Sequence, residues 1–138
     1  MISARNKIKG TIREVKEGAV NGIVKLETPK GHKVSATISM EAIRELSLKA
    51  GKEATAVIKA TEVMMANDFL KISARNQFRG KITEILPGAV NAIVKLDVDA
   101  EFGLSSTISL EAVKELSLKA GEEAVAVIKA TSVMISVD

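Results

Sequence analysis

The sequence predicts an all-β protein of two tandem five-stranded barrels, with one short helix in each. Three observations carry that expectation. The chain of 138 residues repeats itself once, at a spacing of 70, without a gap. Within each copy, apolar residues alternate in short runs separated by turn-forming residues. One segment with helix-start signals interrupts those runs, always after the third.

The repeat organises everything else. ISARN at Ile2 to Asn6 returns at Ile72 to Asn76, GAVN at Gly18 to Asn21 returns at Gly88 to Asn91, and AVIKAT at Ala56 to Thr61 returns at Ala126 to Thr131. Of the 68 pairs from Met1/Lys71 to Asp68/Asp138, 40 are identical. A long period present only twice marks a duplicated domain rather than a solenoid. The expected modules are residues 1–67 and 71–138, joined by ANDFLK, a short link without Gly or Pro that should hold the copies close together.

Within one copy, Ile8 and Ile12 share a face of the first strand, and Gly10 marks a bend or bulge. EGAVN turns the chain, and Val20, Val24 and Leu26 alternate through the second strand. TPKGHK makes the next turn, and Val34, Ala36 and Ile38 give the third strand. Ser39 is a good N-cap for a helix over about Met40 to Leu46, with Glu41 in its first turn. LKAG closes that segment, and Ala54 to Met65 reads as one long strand or a bent pair. Three strands, a helix and a final strand pair follow the order of an OB-like Greek-key barrel. The last strand is apolar on both faces, through Val57 and Val63 on one and Ile58 and Met64 on the other. It should therefore be covered twice, which a lone small barrel does not manage and subunit packing would.

Composition narrows the function. Hydrophobic residues make up 46% and charged residues 27%, as in a folded domain rather than a disordered chain. Twenty basic against seventeen acidic residues leave a charge of +3, which favours an anionic partner without demanding one. There is no Trp or Tyr and only three Phe, so each module has little bulk to bury and association is expected to supply the rest. Cysteine is absent, which removes disulfides, thiolate nucleophiles and cysteine-held metals. No apolar run has the length of a signal core or a membrane span, and a cytoplasmic protein without membrane contact is expected.

Enzyme chemistry finds no support. The single histidine, His32, falls in a turn and is replaced by Phe102 in the second copy, so it reads as a solvated turn residue. No Ser–His–Asp set is duplicated, no phosphate-binding GxxxxGK[ST] loop exists, and Glu14, Glu41, Glu45 and Glu53 lie among lysines as solvated faces. What survives in both copies is a set of neutral donors and fixed cations: Ser3, Arg5, Asn6, Asn21, Ser35, Thr37, Ser39, Lys59 and Thr61. Their partners are Ser73, Arg75, Asn76, Asn91, Ser105, Thr107, Ser109, Lys129 and Thr131. Each alone is ordinary for a strand, cap or surface. Together they suit a tetrahedral dianion, whose oxygens only accept hydrogen bonds and whose pocket must exclude carboxylates. The amides following Ser39, at a helix start, add to that surface. Charge-assisted bonds are worth roughly 1.5–3 kcal/mol each, and micromolar affinity needs about 8 kcal/mol, so five or six donors suffice. Arg5 and Lys59 are expected at opposite ends of a module, so an interface between modules must gather the set.

The motifs ISARNxxxGxI, GAVNxIVKL and GxEAxAVIKATxVM cover almost the whole chain twice. In them the chain resembles the molybdate-binding mop-domain family, in the tandem form of the di-mop molbindins. The resemblance implies six modules around a threefold axis, here a trimer of two-module chains, with molybdate or tungstate bound between modules. It implies one site type built from Ser3, Ala4, Arg5, Ser39, Lys59, Ala60 and Thr61, with Ser73, Ala74, Arg75, Ser109, Lys129, Ala130 and Thr131 as equivalents. A second type would use the turns Gly18, Ala19, Val20, Asn21 and Gly88, Ala89, Val90, Asn91. The role implied is non-catalytic storage and homeostasis of the oxyanion. The competing expectations are an OB-fold binder of single-stranded nucleic acid and a subunit that docks on another protein. The first is opposed by the shortage of aromatics for base stacking.

Overall fold

Alternation of inward Ile, Val and Leu with outward polar residues makes ten strands, and in the computed structural model, which describes residues 2–138, they form two five-stranded sheets. Met1, the first residue of the expected first module, lies outside the described residues. The first half gives β1 (Asn6–Lys16), β2 (Asn21–Glu27), β3 (Lys33–Ser39), helix α1 (Met40–Glu45), β4 (Glu53–Ile58), a one-turn 3-10 segment (Ala60–Glu62) and β5 (Met64–Ala66). The second half repeats the order with β6 (Asn76–Pro87), β7 (Asn91–Asp99), β8 (Phe102–Ser109), α2 (Leu110–Glu115), β9 (Glu123–Ile128), a 3-10 turn (Ala130–Ser132) and β10 (Met134–Ser136). The expected fold class holds: mostly β, one short α-helix per half, and sheets ordered as OB-like barrels.

The fifth strand of each sheet comes from the other half. One sheet runs β10-β4-β1-β2-β3 and the other β5-β9-β6-β7-β8. Met134, Ile135 and Ser136 pair antiparallel with Val57, Ala56 and Thr55; Met64, Met65 and Ala66 pair in the same way with Val127, Ala126 and Val125. Each exchanged strand also lies against the third strand of the sheet it joins, β10 against β3 and β5 against β8. The expected long strand over Ala54 to Met65 is therefore broken at the 3-10 turn. Its two parts serve different sheets.

The exchange answers the burial problem posed by the small halves. One continuous core runs from Ile12, Val24 and Leu26 of the first half to Ile82, Val94 and Leu96 of the second. The second apolar face of the fourth strand is covered inside the chain: Val125 and Val127 of β9 pack with Ala66 and Ala74. Subunit packing is not needed for that.

Several local expectations are corrected. Gly10 is not the bulge, which falls between Ile12 and Glu14. A Cβ at Gly10 would stand 2.5 Å from the Glu27 carbonyl oxygen, so glycine there admits the close approach of β2. Val20 is outside the second strand, at the turn tip and 73% exposed. His32 lies in the turn as expected, its side chain 36% exposed, but it is not merely solvated. Its ring meets Phe78 and Phe102 edge-on, at 6.4 and 5.6 Å between centroids, and its Nε2 lies 3.0 Å from an Asp99 carboxylate oxygen, so it joins the two halves. The link is strapped onto the second half. Gln77 exchanges two amide hydrogen bonds with the backbone of Leu70, Arg79 pairs with Asp68, and the Arg79 guanidinium lies over the Phe69 ring.

The copies also differ in how they pack the helix. A Cβ on Gly22 would stand 2.6 Å from Ile43 Cδ1, 2.8 Å from the Lys16 carbonyl oxygen and 3.0 Å from the Met40 sulfur. In the second half that position is Ala92, and its facing residues are the smaller Val113 and the reshaped Leu110. Gly22→Ala is thus expected to destabilise the protein by about 1–3 kcal/mol through overpacking. Adding Ile43→Val and Met40→Leu should recover only part of that loss in thermal or denaturant unfolding, because the contact with the Lys16 carbonyl remains. Deleting residues 134–138 should raise amide hydrogen exchange chiefly along β4 of the first half, although the removed residues belong to the second.

Candidate functional site

The antiparallel pairing of β1 with β4 builds the site. Asn6 stands opposite Ile58, so Arg5, just before β1, and Lys59, just after β4, emerge side by side. Asn76 opposite Ile128 does the same for Arg75 and Lys129. The expectation that Arg5 and Lys59 lie at opposite ends of a module is overturned: antiparallel strands bring the start of one beside the end of the other. Just past each lysine the chain makes its 3-10 turn on the way to the other sheet, which brings Ala60 and Thr61, or Ala130 and Thr131, to the same place.

Two cavities result, each spanning both halves. The first, of about 490 Å³, is lined by Ile2, Ser3, Ala4, Arg5, Lys59, Ala60, Thr61 and Met134 together with Thr107 of β8. The second, of about 260 Å³, is lined by Ser73, Ala74, Arg75, Lys129, Ala130 and Thr131 with Ile23, Ser35 and Thr37 of the first half. Each contains one arginine, one lysine, several hydroxyls and no carboxylate. Arg5, Lys59 and Thr61 are exposed, as are Arg75, Lys129 and Thr131, while Ala60 and Ala74 are buried. Thr107 and Thr37 were in the duplicated donor set, but sequence alone did not attach them to the opposite copy's motif. Only the packing of the 3-10 turns on β8 and β3 does so.

Other expected members go elsewhere. Asn6 and Asn76 are buried, and their amides are spent across the seam. Asn6 Nδ2 donates to the Ser105 carbonyl at 2.8 Å and its Oδ1 accepts from the Ser105 N–H at 2.7 Å. Asn76 makes the matching pair with Ser35, at 2.9 and 2.8 Å. Neither amide is free to face a guest. Ser39 and Ser109 do not line the cavities: each pairs with the asparagine of its GAVN turn and caps its helix, accepting from Ala42 at 3.1 Å and Ala112 at 3.0 Å.

The helix starts are also less available than expected. Met40 N–H donates to the Val20 carbonyl and Leu110 N–H to the Val90 carbonyl, both at 2.8 Å. Counting the serine caps, two amides at each helix start already have partners. Gly18, Ala19, Val20 and Gly88, Ala89, Val90 form exposed loops whose tip valines are each 73% accessible, and Asn21 and Asn91, also exposed, open β2 and β7. Within one chain they stand apart from the two cavities.

A further cleft of about 360 Å³ mixes Lys9 and Arg13 with Glu27, Glu53 and Asp138, so its carboxylates would oppose an anion. No group of three or more His, Asp or Glu stands ready to hold a metal ion among the described residues. No helix among them is long and apolar enough to cross a membrane. Phe78 and Phe102 are buried, and the Phe69 face is occupied by Arg79, so no row of exposed aromatics is available for stacking bases.

Comparison with known proteins accords with this architecture. The family model for the TOBE domain matches twice, over residues 2–65 and 72–135. A "Probable molybdenum-pterin-binding protein" of Haemophilus influenzae is 59% identical over 69 residues, which is half of this chain and the whole of that protein. The "Molybdenum transport protein ModE" of Herbaspirillum seropedicae is 34% identical over 137 residues, 98% of this chain but 51% of that protein, so the chain spans about half the length of this longer relative. Among solved structures, the cytoplasmic molybdate-binding protein ModG, with molybdate bound, superposes with a TM-score of 0.96 at 45% identity, covering 99% of both chains. Two matches to one domain model, on two halves that exchange their last strands, make this chain a member of the TOBE-domain family that carries its module in duplicate.

Proposed function

We propose that the chain binds molybdate, and tungstate in the same way, in the two cavities between its halves, and that it serves as a non-catalytic cytoplasmic store of the oxyanion. The observation that carries this reading is the lining of the cavities: one Arg, one Lys, hydroxyls and backbone groups, with no carboxylate. A tetrahedral dianion brings four acceptor oxygens and no proton to donate, so donors are what it needs and carboxylates are what would repel it. The relatives named for molybdenum or molybdate, one of them similar over the full length of both chains, support the choice of anion. Among the described residues no carboxylate lines either cavity and no group of His, Asp or Glu could hold a metal ion, which favours retention of the ligand over its conversion.

The donor side chains are exposed in the single chain, and apolar Ile2 and Met134 stand at the rim of the first cavity, 53% and 38% accessible. A dianion held by partly hydrated donors gains less than one held by desolvated donors. We therefore propose that three chains assemble, covering the rims and the exposed tips Val20 and Val90. The GAVN turns remain candidates for a second kind of site, formed only where chains meet.

Two measurements test this reading. Isothermal titration with molybdate should show submillimolar uptake by the wild type. Lys59→Ala combined with Lys129→Ala should weaken it by about 10- to 100-fold, the loss expected for one charge-assisted bond per site. An unchanged affinity removes the lysines from the sites. Sedimentation should give the mass of three chains of 14.7 kDa each. A monomer that takes up neither molybdate nor tungstate would overturn the whole proposal.

A further inference from the structure

The amides of Asn6 and Asn76 have an unusual position. Each side chain presents one acceptor and one donor to one residue's backbone, as the peptide unit of a neighbouring strand would. Ser105, which receives Asn6, belongs to the edge strand β8; Ser35, which receives Asn76, belongs to the edge strand β3. An edge strand of a small sheet presents unpaired backbone groups that can slide or splay. Here one of those positions is fixed by two bonds from a residue only 3% or 2% exposed.

Each cavity has its two walls on either side of one stitch. Arg5 directly precedes Asn6, and Arg75 directly precedes Asn76. Strand period two puts Thr107 on the same side of β8 as Ser105, and Thr37 on the same side of β3 as Ser35. Thr107 faces the cavity of Arg5 and Lys59; Thr37 faces that of Arg75 and Lys129. One amide therefore lies one residue from the wall that carries the cation and two residues from the opposite wall that carries the hydroxyl.

We propose that Asn6 and Asn76 are positioning residues: each sets the spacing between the two walls of its own cavity, and thereby the size of tetrahedral anion that the cavity prefers. This rests on the oxyanion reading of the cavities. A neutral amide suits the task because it satisfies both backbone groups of the edge strand without adding charge. An aspartate would accept one bond, repel the serine carbonyl and place a negative charge beside the arginine. Sulfate and molybdate share shape and charge, so discrimination between them has to come from spacing, and spacing is what the stitch controls.

The test uses the full chain and two anions. Lys129→Ala weakens the second cavity so that titration reports the first, and Lys59→Ala does the reverse. Asn6→Ala is expected to lower molybdate affinity by about tenfold in the Lys129→Ala background, the scale on which outer-shell partners act, and by much less in the Lys59→Ala background. It should also narrow the preference for molybdate over sulfate. A merely structural amide would lower the melting temperature and affect both cavities alike, and that result overturns the proposal. Combined with Thr107→Val, Asn6→Ala should lose less than the product of the two single losses, because both act on one wall. Asn6→Ser, whose shorter hydroxyl does not span both backbone groups of Ser105, keeps a polar side chain at the seam and serves if the alanine variant does not fold; a folded Asn6→Ser protein with wild-type affinity and preference overturns the proposal alone. A wild-type chain that binds neither anion overturns the reading of the cavities, and this proposal with it.

Discussion

The fourth strand of each half has an outer edge that its own half leaves open. The last strand that might close it is only three residues long and is separated from the fourth by the 3-10 turn. That strand crosses instead to the other sheet, and the crossing is reciprocal. Neither sheet is then complete without residues from the opposite half. An open edge would be a template for pairing with other chains, and the exchange removes it within one molecule. It also merges two cores that would each be small for about seventy residues into one.

Function follows from the route of the crossing. A chain that leaves one sheet for another must pass over the seam, and the residues that make the passage are Lys59, Ala60 and Thr61 in one half and Lys129, Ala130 and Thr131 in the other. The segment leading into the first strand of each half arrives at the same place, with its Ser, Ala and Arg, because the first and fourth strands are antiparallel neighbours. The donors therefore converge as a consequence of how the sheets are completed. Ser106 Oγ donating to the Val63 carbonyl and Ser132 Oγ donating to Glu62 further tie the two crossings to their surroundings.

Much of this was legible in the residues, and the gaps have physical causes. The duplication, the β class, the short helix with its serine cap and the SARN and KAT donors all come from local patterns, which strand and helix periods make readable. Which copy completes which sheet is not local. Both faces of AVIKATxVM are apolar in either arrangement, and a swapped strand has the same sequence as an unswapped one. Asn6 shows the same limit more sharply. As a duplicated polar residue beside an arginine it reads as a ligand, because nothing in a sequence distinguishes an amide aimed at a guest from one aimed at a strand edge. His32 reads as solvated because turns usually are, yet the unduplicated Phe78 and Phe102 form a surface against which it packs. Some of the positions where the copies diverge carry contacts between the halves: His32 meets Phe78 and Phe102, whose counterparts are Ile8 and His32 itself, and Ser106, the counterpart of Ala36, bonds to Val63.

That divergence bears on how the two cavities compare. Duplication followed by exchange would leave two identical sites if the seam were symmetric. It is not, since the equivalent positions His32 and Phe102 meet there as different residues, joined by Phe78 and Asp99, whose counterparts are Ile8 and Pro29. The linker strap, through Gln77 and Arg79, likewise holds only the second half, where the first has Lys7 and Lys9. Through all of this the motif residues stay the same, and so do the Asn–Ser pairs that bridge the walls. The cavities differ in volume while their polar linings stay nearly alike, and the apolar residues at their rims, Met134 and Ile23, have identical counterparts in Met64 and Ile93. Seam packing has varied around a constant set of donors, which is the pattern expected when the chemistry of the guest constrains the lining and only general packing rules constrain the rest.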